Sequence, residues 1–239
     1  MNSEARVVFA STAYGPLWAP AVNSWLTALA YTARYLHVEN SGMLLGSGVT
    51  DRQYTHSAEN TLVENFLDDK LCSGATHLFF TEMDMILPRD AIVKLLEMDV
   101  DIATGVYFLR GGDGQPCLYK KILTTRDNPW VHTPVSIFPT QEPFRVDCPG
   151  LGCVLFKRKV FETLKYPWFD LAEGKYGSDM YFYTNAKTAG LEVWANPKVM
   201  CGQIDYTVVE FDDYVNRVKN DPKFAASGYI IAPKAVIDA

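Results

Sequence analysis

The sequence predicts an α/β protein: a single domain with a central, mostly parallel sheet flanked by helices, and a small antiparallel β insertion. Short apolar runs alternate with helix-period segments through most of the first hundred residues, which is the rhythm of βα units. That rhythm fails from Leu118 to Val146, where the chain turns to short β segments broken by polar residues. The 239 residues, 48% hydrophobic and 21% charged, can bury a substantial core and fit one large domain spanning 1–239.

Arg6 to Ser11 reads as the first strand, followed by the turn Thr12-Ala13-Tyr14-Gly15-Pro16. A helix starts near Pro20, with Val22, Trp25, Leu26, Leu29, Ala30 and Ala33 on its buried side. A second helix runs from Ala58 to Leu71, where Leu62, Val63, Phe66, Leu67 and Leu71 form one apolar stripe. Next comes His77-Leu78-Phe79-Phe80-Thr81-Glu82-Met83-Asp84-Met85-Ile86-Leu87-Pro88, an apolar strand-like run that carries two acids. Pro88 suits the first turn of a helix to Met98 that buries Ile92, Leu95 and Leu96. Val100 to Phe108 is a further strand, and Arg110 to Pro116 a turn-rich break. Gly152 to Lys157 is strand-like again, and Arg158 to Lys165 a short helix. Tyr176-Gly177-Ser178-Asp179 opens a helix capped by Ser178 or Asp179, running to Ala189 before Gly190 stops it. Strands over Glu192–Ala195 and Val199–Ile204 precede a charged C-terminal region.

A formal net charge of −6 offers no global electrostatic basis for binding nucleic acid or an anionic membrane. The five cysteines, Cys72, Cys117, Cys148, Cys153 and Cys201, are odd in number and form no C-x-x-C pair. That argues against a zinc knuckle and a fully paired disulfide framework, and for a reducing compartment. Met1 to Arg6 is polar and leads straight into Val7-Val8-Phe9-Ala10, without the basic and apolar regions of a signal peptide. No run approaches the roughly 20 apolar residues of a membrane-spanning helix. The expected location is the cytoplasm.

Charge is expensive to bury unless it is paired or metal-bound, so acids closing an apolar strand belong at the carboxyl edge of the sheet, where ligands collect. Glu82 and Asp84 are separated by one residue, and on an extended backbone both face the same way and reach one ligand. Their oxygens suit Mg²⁺ or Mn²⁺, which bind through one or two carboxylates plus the phosphates of a substrate. The alternative is a pair of solvated acids at a strand end. For Asp179 the alternatives are a helix cap and a general base.

Four segments carry a family resemblance. Thr76 to Met85 resembles a D-x-D strand, and Gly150 to Phe161 resembles the G-x-G-x-x-L-x-(R/K)-(R/K) strand and helix. Gly177-Ser178-Asp179-Met180-Tyr181-Phe182 resembles G-E-D-x-x-F; after Val193-Trp194-Ala195-Asn196-Pro197, Cys201-Gly202-Gln203 resembles a closing C-G-H. In this order the segments resemble the GT-A glycosyltransferases, and are similar to family 2, especially its short bacterial and phage-type members. The resemblance implies a Rossmann-like GT-A fold with a nucleotide-binding half over residues 6–108, an acceptor half over 109–206 and a C-terminal extension over 207–239.

It also implies a UDP- or GDP-sugar donor. Asp84 would bind Mn²⁺ or Mg²⁺ on the diphosphate, and Glu82 would touch the ribose, or the metal through water. Asp179 matches the general base of inverting members, while Ser178 stands in place of the acid usual beside it. Gln203 stands where relatives carry a histidine that completes the metal shell, so it becomes a weaker, neutral ligand or an ordinary strand-end residue. Ser11, Thr12 and Tyr14 are candidates for the base and ribose, and Arg52 and Asn60 lie where relatives show an Arg-Asn pair. Gly150 and Gly152 would let backbone approach the donor sugar, and Tyr107 and Arg110 would line the acceptor side. Trp130, Trp168 and Phe169 are candidates for sugar stacking or for core packing.

The expected activity is metal-dependent transfer of a sugar to an acceptor hydroxyl, with inversion. The acceptor stays open among glycan, lipid, protein and modified DNA. One alternative is a nucleotidyltransferase of related fold, although Thr12-Ala13-Tyr14-Gly15-Pro16 lacks a basic, glycine-rich phosphate loop. The other is a degenerate nucleotide-sugar-binding module, motivated by Ser178 and Gln203.

Overall fold

The computed structural model describes residues 5–39, 42–111, 114–123, 130–171, 177–205 and 208–220. The first half contains β1 (Arg6–Ala13), α1 (Ala19–Glu39), β2 (Met43–Asp51), α2 (Thr55–Asp68), β3 (His77–Glu82), β4 (Met85–Ile86), α3 (Ala91–Leu96) and β5 (Ile102–Val106). The middle is β-rich: β6 (Leu118–Leu123), β7 (Trp130–Pro134), β8 (Phe144–Val146), β9 (Cys148–Pro149) and β10 (Cys153–Lys157). The remainder is α4 (Arg158–Thr163), α5 (Ser178–Thr188), β11 (Val193–Met200), β12 (Gly202–Ile204), β13 (Val208–Val209) and α6 (Phe211–Lys219).

Seven strands form one sheet in the order β2-β1-β3-β10-β5-β11-β8. β2, β1, β3, β5 and β11 run one way, and β10 and β8 run against them. The architecture is therefore the expected mostly parallel sheet with flanking helices. β10, from the second half of the chain, is hydrogen-bonded between β3 and β5 of the first, so both halves share one sheet.

Side-chain alternation along the strands builds a core on each face of the sheet. Val7, Phe9 and Phe79 pack with Trp25 of α1 and Ile92 of α3. Val8, Ala10, Leu78 and Phe80 pack with Val63 and Phe66 of α2, Phe161 of α4 and Phe182 of α5. The antiparallel insertion forms as a β7-β6-β9 sheet, and a third small sheet joins β13, β12 and β4. β8 leaves the insertion to close the edge of the main sheet beside β11.

Several elements differ from their sequence reading. β2 gives little strand signal because Gly46, Ser47 and Gly48 interrupt its apolar residues, as an edge strand allows. α1 buries Ala21, Trp25, Ala28, Thr32 and Leu36, while Leu26 is 59% exposed and Ala30 faces outward. Small residues on the true stripe let the helix lie close to the sheet, so bulk misleads about its phase. α5 is capped by Gly177, with Ser178 already helical. The two last strands are instead one strand, β11, with a register shift between Ala195 and Met200, followed by the separate β12.

The described part of the C-terminal region is more than a charged extension. A capping box of Glu210 and Asp213 starts α6, which buries Phe211, Tyr214 and Val218. The Tyr214 ring lies 5.3 Å from that of Phe108 and 4.8 Å from that of Phe138. Residues 112–113, 124–129, 172–176, 206–207 and 221–239, which include parts of the predicted turn, insertion, helix start and extension, lie outside the described residues.

Candidate functional site

The site is assembled where β1, β3 and β5 end at one edge of the sheet. β3 stops at Glu82, and Met83 and Asp84 form a turn before the chain resumes as β4. The extended Glu82-x-Asp84 geometry is therefore corrected. The physical reason is a change of partner: β4 leaves the main sheet and pairs with β12, with Met85 opposite Gln203. The turn is clamped from two sides. Trp25 Nε1 donates to the Met85 carbonyl at 2.8 Å, and the Ile204 amide donates to the Asp84 carbonyl at 2.8 Å.

This pairing brings Gln203 to Asp84. Gln203 Nε2 donates to Asp84 Oδ2 at 3.3 Å, and Arg110 Nη1 lies 3.2 Å from the same oxygen. Asp84 Oδ1 and Gln203 Oε1 are buried and, among the described residues, have no hydrogen-bond partner from another side chain or backbone. Burial raises the pKa of Asp84; Arg110 and the Gln203 hydrogen bond draw it down, and Asp205 pushes it up again. Glu82 is pushed up to about 8 by burial, then by the charges of Asp84 and Asp179, with Arg110 opposing.

Asp179 comes from the first turn of α5, where its Oδ1 accepts the Met180 amide at 2.7 Å. Burial raises its pKa, and that hydrogen bond works against the rise. Ser178 beside it is buried and hydrogen-bonded to Glu59 of α2. Glu59 is only 2% exposed, and its Oε2 has no partner among the described residues. Burial drives its pKa well up, and the charges of Glu82 and Asp179 add to this. Sequence reasoning missed Glu59. The signal was there: an acid at the head of the stripe Glu59, Leu62, Val63, Phe66, at helical spacing i, i+3, i+4, i+7.

Other candidates separate cleanly. Tyr14 is 74% exposed at the end of β1, tied to the acid turn by its amide, which points at Met83 Sδ at 3.3 Å. Thr12 is partly buried on β1 opposite Glu82. Ser11 is fully buried, with its hydroxyl turned to the Thr12 carbonyl at 3.4 Å, so it does not face a ligand. Arg52 points outward, beside Asp51 at 3.9 Å. Asn60 is a structural clamp: its Nδ2 donates to the carbonyls of His56 and Phe169, and its Oδ1 accepts the amides of Trp168 and Phe169. No donor or acceptor of that side chain is left for a phosphate.

Tyr107, Gly150 and Gly152 are likewise packed together rather than open to a sugar. The Tyr107 hydroxyl occupies the space where a side chain on Gly150 would begin, and the Gly152 amide donates to it at 3.3 Å. These glycines admit the tyrosine instead of a substrate. Trp168 and Phe169 are core residues, the former donating its Nε1 to the Phe161 carbonyl at 3.0 Å.

Among the described residues no group of three or more His, Cys, Asp and Glu side chains is placed to hold a metal ion. The donors that fit one are the Asp84 carboxylate and the Gln203 amide oxygen, both with an unpartnered buried oxygen. An oxygen-only set this small matches a hard cation that keeps waters and takes its other ligands from a phosphate.

No protein-family model matches the chain, and no curated protein matches it by sequence. Among solved structures, the crystal structure of A197 from STIV is similar at a TM-score of 0.59 and 18% identity, over 87% of this chain and 91% of that one. The inositol-1-phosphate CTP transferase from T. maritima matches at a TM-score of 0.39 and 13% identity, over 94% of this chain and 98% of that one. At such identities the likeness to A197 concerns the fold alone. Among the described residues no helix is long and apolar enough to cross a membrane.

Proposed function

We propose that this chain is a metal-dependent glycosyltransferase of the GT-A kind, moving a sugar from a UDP- or GDP-sugar to an acceptor hydroxyl with inversion. One observation supports the reading: at the turn after β3, Gln203 and Arg110 converge on the nearly buried Asp84, and the charge of Asp179 from α5 reaches the neighbouring Glu82. Transfer needs a device for the leaving diphosphate and one for the acceptor proton, and two separate carboxylates supply them.

Asp84 and Gln203, with Glu82 nearby, would hold Mn²⁺ or Mg²⁺. Such a cation stabilises the negative charge that grows on a departing diphosphate. Asp179 takes the proton of the acceptor hydroxyl as its oxygen bonds to the anomeric carbon. The bond from that carbon to the diphosphate breaks on the opposite face. The raised pKa of Asp179 makes its carboxylate a stronger base than an exposed aspartate. Glu82 can hydrogen-bond a ribose or sugar hydroxyl, and exposed Tyr14 offers a face to the nucleobase.

A second reading, a nucleotide-sugar-binding module without turnover, is favoured by the Arg110 cation seated on Asp84. One assay separates the two. Hydrolysis or transfer of UDP- and GDP-sugars is measured with Mn²⁺, with chelator, and in Asp84→Ala. Mn²⁺-stimulated turnover that falls roughly 100-fold or more in Asp84→Ala supports the transferase. Turnover that is unchanged in Asp84→Ala refutes it, and nucleotide-sugar binding with no turnover establishes the module.

A further inference from the structure

We propose that Arg110 is an internal counter-ion of Asp84 that exchanges with the divalent cation, so that the metal and the diphosphate bind cooperatively. This rests on the metal reading of Asp84 given above. The two partners differ in accessibility: the Asp84 side chain is 9% exposed and the Arg110 side chain 56%. The guanidinium thus reaches inward from solvent onto a nearly buried carboxylate. The charge of Arg110 also acts on both Asp84 and Glu82. In this state it supplies the positive charge that the acids of the turn require.

A guanidinium and a divalent cation on one carboxylate repel each other, and they compete for the same oxygens. Both neighbours of Asp84 Oδ2 present N–H groups to it, which is an arrangement for receiving a donor and not for sharing a metal. Loading the metal requires Arg110 to leave and the Gln203 amide to turn so that its unpartnered oxygen faces the ion. The Arg110 side chain, already more than half exposed, can swing into solvent from a backbone held in a tight turn. Leu109 is held by its amide to the Gln115 carbonyl at 2.8 Å, while Gly111, next after Arg110, sits at φ 102°, in the left-handed region that glycine adopts freely.

The released guanidinium remains at the mouth of the site, with a planar fork of donors that matches phosphate oxygens. A diphosphate that draws Arg110 away frees Asp84 for the metal, and a metal on Asp84 frees Arg110 for the diphosphate. The linkage is reciprocal by thermodynamic necessity.

The test is isothermal titration of the whole chain with MnCl₂, alone and at saturating UDP or GDP, and of each nucleotide with and without Mn²⁺. Wild type, Arg110→Gln, Arg110→Lys and Asp84→Asn are compared. In wild type, nucleotide should tighten Mn²⁺ binding by roughly ten-fold or more. In Arg110→Gln, Mn²⁺ alone should bind at least about three-fold tighter, because its competitor is gone, while the gain from nucleotide shrinks. Arg110→Lys, which keeps the charge but not the planar fork, should bind Mn²⁺ alone close to wild type and show a nucleotide gain between those of wild type and Arg110→Gln. Arg110→Gln that binds Mn²⁺ no tighter than wild type, or keeps the full nucleotide gain, overturns the exchange. If Mn²⁺ binding is lost in Asp84→Asn but untouched in Arg110→Gln, the exchange alone falls. Wild-type protein that binds no Mn²⁺, with or without nucleotide, removes the metal reading and the exchange together.

Discussion

The Ser178 hydroxyl, on the first residue of α5, is hydrogen-bonded to the buried carboxyl of Glu59 on α2. The resembled G-E-D motif carries an acid where this chain has Ser178, and here a carboxyl reaches that place from another helix. Asn60, next to Glu59, meanwhile holds the backbone of Trp168 and Phe169. Neighbouring residues of α2 thus anchor the start of α5 and the chain that approaches it, and with them the position of Asp179.

Glu59 makes stability depend on pH. Its pKa is raised well above the ordinary glutamate value, and that of Glu82 is raised from 4.5 to about 8. The native state therefore binds these protons more tightly than the unfolded chain. The stability they contribute is complete below the ordinary glutamate range and is lost as pH climbs through the raised values. Urea unfolding should show greater stability at pH 5 than at pH 8. Glu59→Gln keeps an oxygen for Ser178 and stays neutral, so it should flatten this slope and stabilise the protein at pH 8 by about 1 kcal/mol or more. An unaltered slope would show that Glu59 does not carry the effect.

Asp179→Asn removes a base and leaves the shape. If Asp179 accepts the acceptor proton, kcat should fall by roughly 10²–10⁴ while KM for the nucleotide-sugar stays within a few-fold. A base acts when deprotonated, so wild-type activity should rise with pH along an acid limb. Burial places that limb above the ordinary aspartate value of 3.8. Turnover in Asp179→Asn with the same limb would assign the proton transfer elsewhere.

The contact of Tyr107 with the two glycines can be tested as a steric cycle. Gly150→Ala should destabilise by roughly 1–3 kcal/mol through overlap with the Tyr107 hydroxyl, and adding Tyr107→Phe should recover part of that loss. Gly152→Ala should not be rescued in the same way. Its new methyl would lie 2.9 Å from a Tyr107 ring carbon and 2.8 Å from Met85 Sδ, both of which remain. Chemical denaturation of wild type, the three single variants and the two doubles with Tyr107→Phe measures the coupling.

The alternation of apolar runs with helical stripes made β1, β3, β5 and the stripe of α2 legible in the sequence, because burial against a sheet demands that pattern from each segment on its own. β2 escaped, since an edge strand with Gly46 and Gly48 needs little apolar surface. The stripe of α1 was misphased because close packing on a sheet selects small residues such as Ala21 and Ala28 as well as large ones. In the site, Asp84, Glu82, Arg110, Gln203, Ser178 and Asp179 were singled out from sequence, and the structure gathers them at one edge. Asn60, Ser11, Tyr107, Gly150 and Gly152 were singled out as well, and lie packed inside the protein.

By itself, the sequence determined that acids end the β3 segment, that an acid opens α5, and that the chain folds as helices around a sheet, because each of these is written in neighbouring residues. Only the tertiary structure decided that Arg110 sits on Asp84, that β12 carries Gln203 to the same carboxylate, and that Glu59 meets Ser178. Those pairs lie far apart along the chain. Their meeting depends on strand order, on β4 leaving the main sheet for β12, and on how α2 and α5 share one face, none of which local periodicity encodes.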